Sequence, residues 1–133
     1  MLSKNIFIVN QNPDSKYDDK EGERYNFPTT IPNGKQIVAG DVLIINMSKK
    51  TALKMNFGEK RIVGIAIIDE VVFYEFNGQK WAYAIFNWYR KFDPPLTFKE
   101  IGGDPRINIQ HAMNKIPDDR RLELLLGLIK SKL

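Results

Sequence analysis

Apolar and polar positions divide this chain into several β-type runs and one helical stripe. The longest apolar runs are Arg61–Phe76 and Trp81–Phe92, both rich in Val, Ile, Phe, Tyr and Trp. Such side chains suit a pleated, partly buried surface. Asn77-Gly78 lies between the runs and accepts the positive φ angles of a tight hairpin. The pair is therefore expected to form one wall of a small barrel. Strict alternation sets Trp81, Tyr83, Ile85, Asn87 and Tyr89 on one face, and Ala82, Ala84, Phe86, Trp88 and Arg90 on the other.

Asn5–Val9 reads as a first strand. Asn10–Glu23 is polar and reads as a loop, interrupted beyond its end by the aromatics of Tyr25-Asn26-Phe27-Pro28. Thr29–Lys35 carries the turn signal Pro32-Asn33-Gly34. In Ile37–Met47, Gly40-Asp41 makes a turn and Val42–Met47 a strand. Ser48–Lys60 is basic and fits either a hairpin loop or a short extended piece. Asp93-Pro94-Pro95 is expected to stop the second long strand, because proline cannot donate to a ladder. Leu96–Ile101 reads as one more short strand, and Gly102-Gly103-Asp104-Pro105 as a break.

The tail reads as helical. Ala112, Met113 and Ile116 fit one face of a short helix. After Pro117, Asp118 or Asp119 can cap the next one. Leu122, Leu125, Leu126 and Ile129 follow at helical spacing, with Leu124 and Leu128 widening the stripe. The expectation is an α+β fold: a compact barrel or half-barrel with packed helices.

Composition narrows the chemistry. At 133 residues the chain suits one domain, 1–133, able to fold without metal or disulfide. It ends at Leu133 inside the helical stripe, so the reading allows it to be a fragment of a longer protein. There are no cysteines, which excludes disulfides and thiolate zinc sites and fits a reducing cytoplasm. A single histidine, His111, argues against a histidine metal centre. No apolar run approaches the ~20 residues of a membrane span. Twenty basic residues against sixteen acidic give a net +4, which permits a polyanionic partner without demanding one.

Phosphate-loop and nucleophile-elbow motifs are missing, and no cofactor or metal is expected. Asp69, Glu70 and Glu75 with Lys80 would be needed for a metal nuclease, but adjacent strand residues face opposite sides, so they read as solvated positions. Aromatics are the positive signal. Rings with polar neighbours stack on nucleobases and can enclose a flipped one. Cations near them, Lys20, Arg24, Lys35, Lys49, Lys50, Lys54, Arg90 and Lys91, suit phosphate contacts.

The order of motifs resembles EVE domains of the PUA-like superfamily, relatives of the YTH readers of methylated adenine. The likeness runs through Glu21–Met47 with its Tyr25, Phe27-Pro28 and Gly40-Asp41, then Ile62–Val72, the aromatic strand Tyr83–Pro95, the turn Asn108-Ile109-Gln110 and the helical Ile116–Leu133. The usual loop Trp is Tyr25 here, and the usual Tyr-Trp start is Asn5-Ile6-Phe7. The Glu-Gly-x-x-Tyr-x-Phe-Pro form is closest to domains fused to nucleases in modification-dependent restriction systems.

The resemblance implies a twisted PUA-like β-barrel with flanking helices and a C-terminal amphipathic helix. It implies a pocket of Tyr25, Asn26, Phe27, Tyr83, Asn87 and Trp88 for a modified, methyl-bearing base flipped from double-stranded DNA. Asn26, Asn46 or Asn87 would read the base edge. The chain would be a non-catalytic reader, with cutting left to a linked or separate nuclease or motor. Two alternatives remain open: an RNA-binding PUA-like module, and a protein-interaction barrel docking through its leucine stripe.

Overall fold

The computed structural model describes residues 5–10, 23–30, 37–101, 103, 113–117, 120, 124 and 127. Six strands form one mixed sheet: β1 (Ile6–Asn10), β2 (Arg24–Pro28), β3 (Val42–Met47), β4 (Arg61–Phe76), β5 (Gln79–Thr97) and β6 (Met113–Lys115). Their spatial order is β2-β5-β4-β3-β1-β6, curled into a half-barrel. Only the β1–β3 pair is parallel among these strands; the others are antiparallel.

Curling gives the sheet two apolar faces. The inner cluster draws on all six strands: Phe7 and Val9, Tyr25 and Phe27, Leu43 and Ile45, Ala66 and Ile68, Ala82 and Ala84, and Met113, with Ile37 from the loop before β3. An outer cluster gathers Ile6, Ile8, Ile44, Ile62, Ile65, Phe92, Leu96, Ile101, Ile116 and Leu124. β1 and β3 belong to both clusters, and so read as near-continuous apolar runs, as strands covered on both faces must. Fully burying a Leu, Ile or Phe side chain contributes roughly 1.5–3 kcal/mol, so this doubly covered centre dominates stability.

A buried carboxylate holds the centre together. Gly40 takes φ 89°, open to glycine at little cost. Asp41 follows; its side chain accepts the backbone N–H of Asn5 at 3.1 Å and of Val38 at 2.9 Å. The same turn bonds β4: Gly40 N–H donates to the Ile68 carbonyl, and Ile68 N–H to that of Asp41. One Gly-Asp step therefore joins the starts of β1 and β3 to the middle of β4.

The fold is mainly β, where an α+β domain was expected. Among the described residues there is one short helix, α1 (Lys49–Lys54), and a 3₁₀ turn at Lys99–Ile101. α1 lies in the basic segment expected to be a loop or extended. Ser48 caps it by accepting the Thr51 N–H, and Asn56 leaves it with φ 65°. Met113–Lys115, expected in a helix, is instead β6, paired with Phe7–Val9. The expected flanking helices and C-terminal helix are not elements of the described structure, and of the stretch expected to hold the latter only Arg120, Leu124 and Gly127 are described. Their backbone is helical, Leu124 is buried, and a Cβ on Gly127 would lie 2.7 Å from the Ile101 carbonyl oxygen. The rest of the stripe (Leu122, Leu125, Leu126, Leu128, Ile129), the 108–110 turn, His111 and most of the 10–23 and 29–35 loops lie outside the described residues.

β5 does not stop at Asp93-Pro94-Pro95. Lys91 is opposite Gly64 and Leu96 opposite Ile62, so residues 92–95 bulge out against Val63 and β5 resumes to Thr97. Proline is tolerated there because a bulge has no ladder bond to lose. The expected short strand at 96–101 is thus the end of β5 plus the 3₁₀ turn.

Candidate nucleic-acid interface

The hairpin register decides which side chains share a face. Phe76 pairs with Gln79 across Asn77-Gly78, and the pairing runs evenly to Glu70 and Ile85. Asp69 is then one residue extra on β4, and Asn87 one extra on β5, where Ile68 faces Phe86 and Ile67 faces Trp88. Each bulge shifts the alternation by one. On β5 the inward residues are Ala82, Ala84 and Phe86 before the bulge but Tyr89 after it. Strict alternation sets Phe86 and Tyr89 on opposite faces. They lie on the same one, their rings 6.1 Å apart and nearly parallel.

β2 borders β5, with Tyr25 opposite Ala84 and Phe27 opposite Ala82. Two small alanines leave room for both rings on the inner face. Tyr25 and Phe27 are 1% and 0% exposed and stack on each other at 5.6 Å. Of the expected cage, these two rings are core, and a ring packed on both sides has no face to offer a base.

The outward residues of β2 form a different group. Arg24, Tyr83 and Tyr74 occupy three successive cross-strand rows, on β2, β5 and β4 in turn. They therefore line up diagonally across the outer face. The Arg24 guanidinium lies 4.5 Å over the Tyr83 ring, and Tyr83 stacks on Tyr74 at 4.9 Å and 16°. A cation over a ring contributes about 0.5–1 kcal/mol when exposed and ~2 when desolvated. Asn26 stands beside this column; its Nδ2 donates to the Tyr74 hydroxyl at 2.7 Å and to the Ala82 carbonyl at 3.2 Å. Because Tyr74 oxygen receives that bond, its own O–H proton is left to donate elsewhere.

Of the expected site residues, the structure brings together Arg24, Asn26 and Tyr83. It adds Tyr74, which sequence reading missed. Counting back from the two-residue turn pairs Tyr74 with Trp81 and puts it on the face of Tyr83, so the signal was present. Asn87 and Trp88 sit further along β5. Asn87 is exposed at its bulge, donating to Asp69 at 3.4 Å, and Trp88 is 42% exposed.

The expected phosphate contacts fall mostly at one end of the sheet. Lys49, Lys50 and Lys54 are exposed on α1, directly after β3, and Arg90 and Lys91 are exposed opposite Ile65 and Gly64. Lys60 and Arg61 enter β4 there, each over a ring, Phe98 at 5.8 Å and Phe57 at 4.9 Å. Arg24 is apart from them, on the aromatic column. Lys20 and Lys35 lie outside the described residues.

The basic end also holds a buried amide pair: Asn46 Nδ2 donates to Asn10 Oδ1 at 2.8 Å, with Asn46 fully buried. The opposite end carries a groove of about 560 Å³ lined by Thr29, Phe73, Tyr74, Glu75 and Lys80. Among the described residues, no three His, Cys, Asp or Glu side chains converge as metal ligands. No described helix is long and apolar enough to cross a membrane.

These features define a mainly-β half-barrel with an aromatic-cationic outer face. Compared with protein-family models, with curated proteins and with solved structures, the chain gives no match.

Proposed function

We propose that the protein is a non-catalytic nucleic-acid-binding module that takes one exposed base on the outer face of β2, β5 and β4. The observation that carries this is the Arg24–Tyr83–Tyr74 column with Asn26 at its side. A base adds its π face to such a column, at about 1–3 kcal/mol per stacked base. The outward Tyr74 proton supplies a donor for a base carbonyl or ring nitrogen. Lys49, Lys50, Lys54, Arg90 and Lys91 supply sequence-independent attraction for phosphates. The likeness of Glu21–Met47 and Tyr83–Pro95 to EVE domains directs the reading to a methyl-bearing base flipped from DNA, with cleavage by a linked or separate nuclease. A methyl group on a stacked base gains dispersion and loses unfavourable hydration.

Fluorescence anisotropy with duplexes carrying one methylated base, and their unmethylated twins, tests this across a salt series. Tighter binding of the methylated duplex is expected, by about tenfold, with log K falling linearly in log salt. Tyr83→Ala should weaken binding, and Tyr74→Phe should reduce discrimination more than affinity. Equal, weak and salt-independent binding of both duplexes rejects the reading. Preference for a single-stranded RNA competitor moves it to RNA.

A further inference from the structure

Among the described residues, nothing pairs with the outer edge of β4 in the far half of the β4–β5 hairpin. On β5, the Lys80 carbonyl accepts from Thr29 N–H, and Phe86 N–H donates to the Glu23 carbonyl. The even-numbered residues of β5 between them therefore turn their backbone groups toward β2, and the odd-numbered ones toward β4. Opposite Lys80, Ala82 and Ala84 stand Glu75, Phe73 and Val71. Their N–H and C=O groups must point the other way, beyond β4. β3 does not reach that far: its ladder on β4 ends at Ile67, and the Gly40-Asp41 turn takes only Ile68. Past Asp69, no strand among the described residues borders β4 on the side away from β5.

This edge is apolar in the middle and acidic at its ends. Phe73 is 61% exposed, Phe76 62% and Val72 38%, while Asp69, Glu70 and Glu75 are exposed carboxylates. The groove lined by Phe73, Glu75 and Lys80 lies on the same segment. Exposed edges with apolar side chains are templates for strand addition. A second copy would set the same three carboxylates against their own kind. A partner with cations flanking an apolar extended core would complement them.

We propose that β4 from Glu70 to Phe76 is a docking edge for an extended peptide of a partner protein. That peptide has alternating apolar side chains and Lys or Arg at both ends. It adds as a strand beside β4, with main-chain bonds to Val71, Phe73 and Glu75 and a side chain in the groove against Phe73. The proposal rests on the strand edge and Phe73, and it shares only Tyr74, which also lines the groove, with the nucleic-acid reading.

Amide hydrogen exchange of the full chain, with a synthetic nine-residue peptide of alternating Val and Thr flanked by Lys and Arg, tests it. Slowed exchange at Val71, Phe73 and Glu75, without slowing at Val72 and Tyr74 beyond their β5-bonded level, is expected on adding peptide. A glutamate-flanked peptide of the same core should bind at least tenfold more weakly. Phe73→Pro removes one edge donor that β5 does not use, and should weaken binding at least tenfold with an unchanged circular dichroism spectrum. If that variant unfolds, the Glu70→Lys, Glu75→Lys double variant serves instead, and should reverse the preference toward the glutamate-flanked peptide. Three outcomes overturn the proposal: edge amides already protected in a peptide-free monomer, which would mean the chain covers its own edge; protection that grows with protein concentration, which would mean a second copy; and displacement of the peptide by an oligonucleotide, which would give the groove to nucleic acid.

Discussion

The two halves of the β4–β5 ribbon have similar composition and opposite fates. Near the start of β4, Ile62, Ile65, Ala66 and Ile68 are buried, because β3 borders the strand and covering groups lie on both faces. Beyond Asp69, Val72, Phe73 and Phe76 are exposed, although they are as apolar and as strand-prone. Hydrophobicity therefore does not decide burial here. The neighbour does: β3 begins at Val42 opposite Ile67, and among the described residues no strand continues its pairing along β4 toward the turn. A stretch of good strand sequence outruns its covering and becomes surface.

The sharpest way to break this comparison is truncation on each side of the boundary. Ile44→Ala, at a position covered on both faces, should cost about 2–5 kcal/mol. Phe76→Ala should change stability by no more than ~0.5 kcal/mol despite removing more carbon. Urea denaturation of the two variants measures both; equal losses would mean the hairpin tip is buried in solution. Gly64 gives the next effect. A Cβ there would stand 2.8 Å from the Tyr89 ring, so Gly64→Ala should cost about 1–3 kcal/mol. Adding Tyr89→Ala should return part of that loss in a double-mutant cycle.

Smaller still is Gly78→Ala in the turn. Gly78 has φ 75°, and an added methyl would meet nothing within 4 Å, so only backbone strain acts, about 1 kcal/mol. Its effect should appear as faster amide exchange at the hairpin tip while β1 and β3 stay protected. Smallest is Lys50→Ala on exposed α1, expected within ~0.5 kcal/mol of the parent in stability. The same change should lower the slope of log K against log salt for DNA by about 0.9. An unchanged slope removes Lys50 from the phosphate contacts.

Much of the sheet was legible because its strands are long or uninterrupted. The Asn77-Gly78 turn and both ribbon strands, with Ile6–Asn10 and Val42–Met47, announce themselves by β-branched and aromatic runs. Three elements did not. β2 has five residues, carries Arg24 and ends in Pro28, so it reads as aromatics in a loop. α1 is six residues, too short for a period to show, and its one signal is Ser48 at the cap. β6 is three residues whose strand character comes from pairing with β1. The site was half legible. Ring-rich strands marked the region, but which rings point outward depends on Asp69 and Asn87, and bulges follow from tertiary pairing that no local pattern prints. Tyr25 and Phe27 look like ligand contacts until their alanine neighbours across the strand are known.

Asp69 and Asn87 face each other across the ribbon, one surplus residue per strand. Each alone would throw the pairing of everything toward the turn out of step. Together they cancel, and the two-residue turn still closes. A single-residue deletion at either position is therefore expected to be worse than deletion at both. The two sites should behave as a matched pair, and the paired deletion would leave the same side chains of the outer hairpin meeting the interior, now by plain alternation.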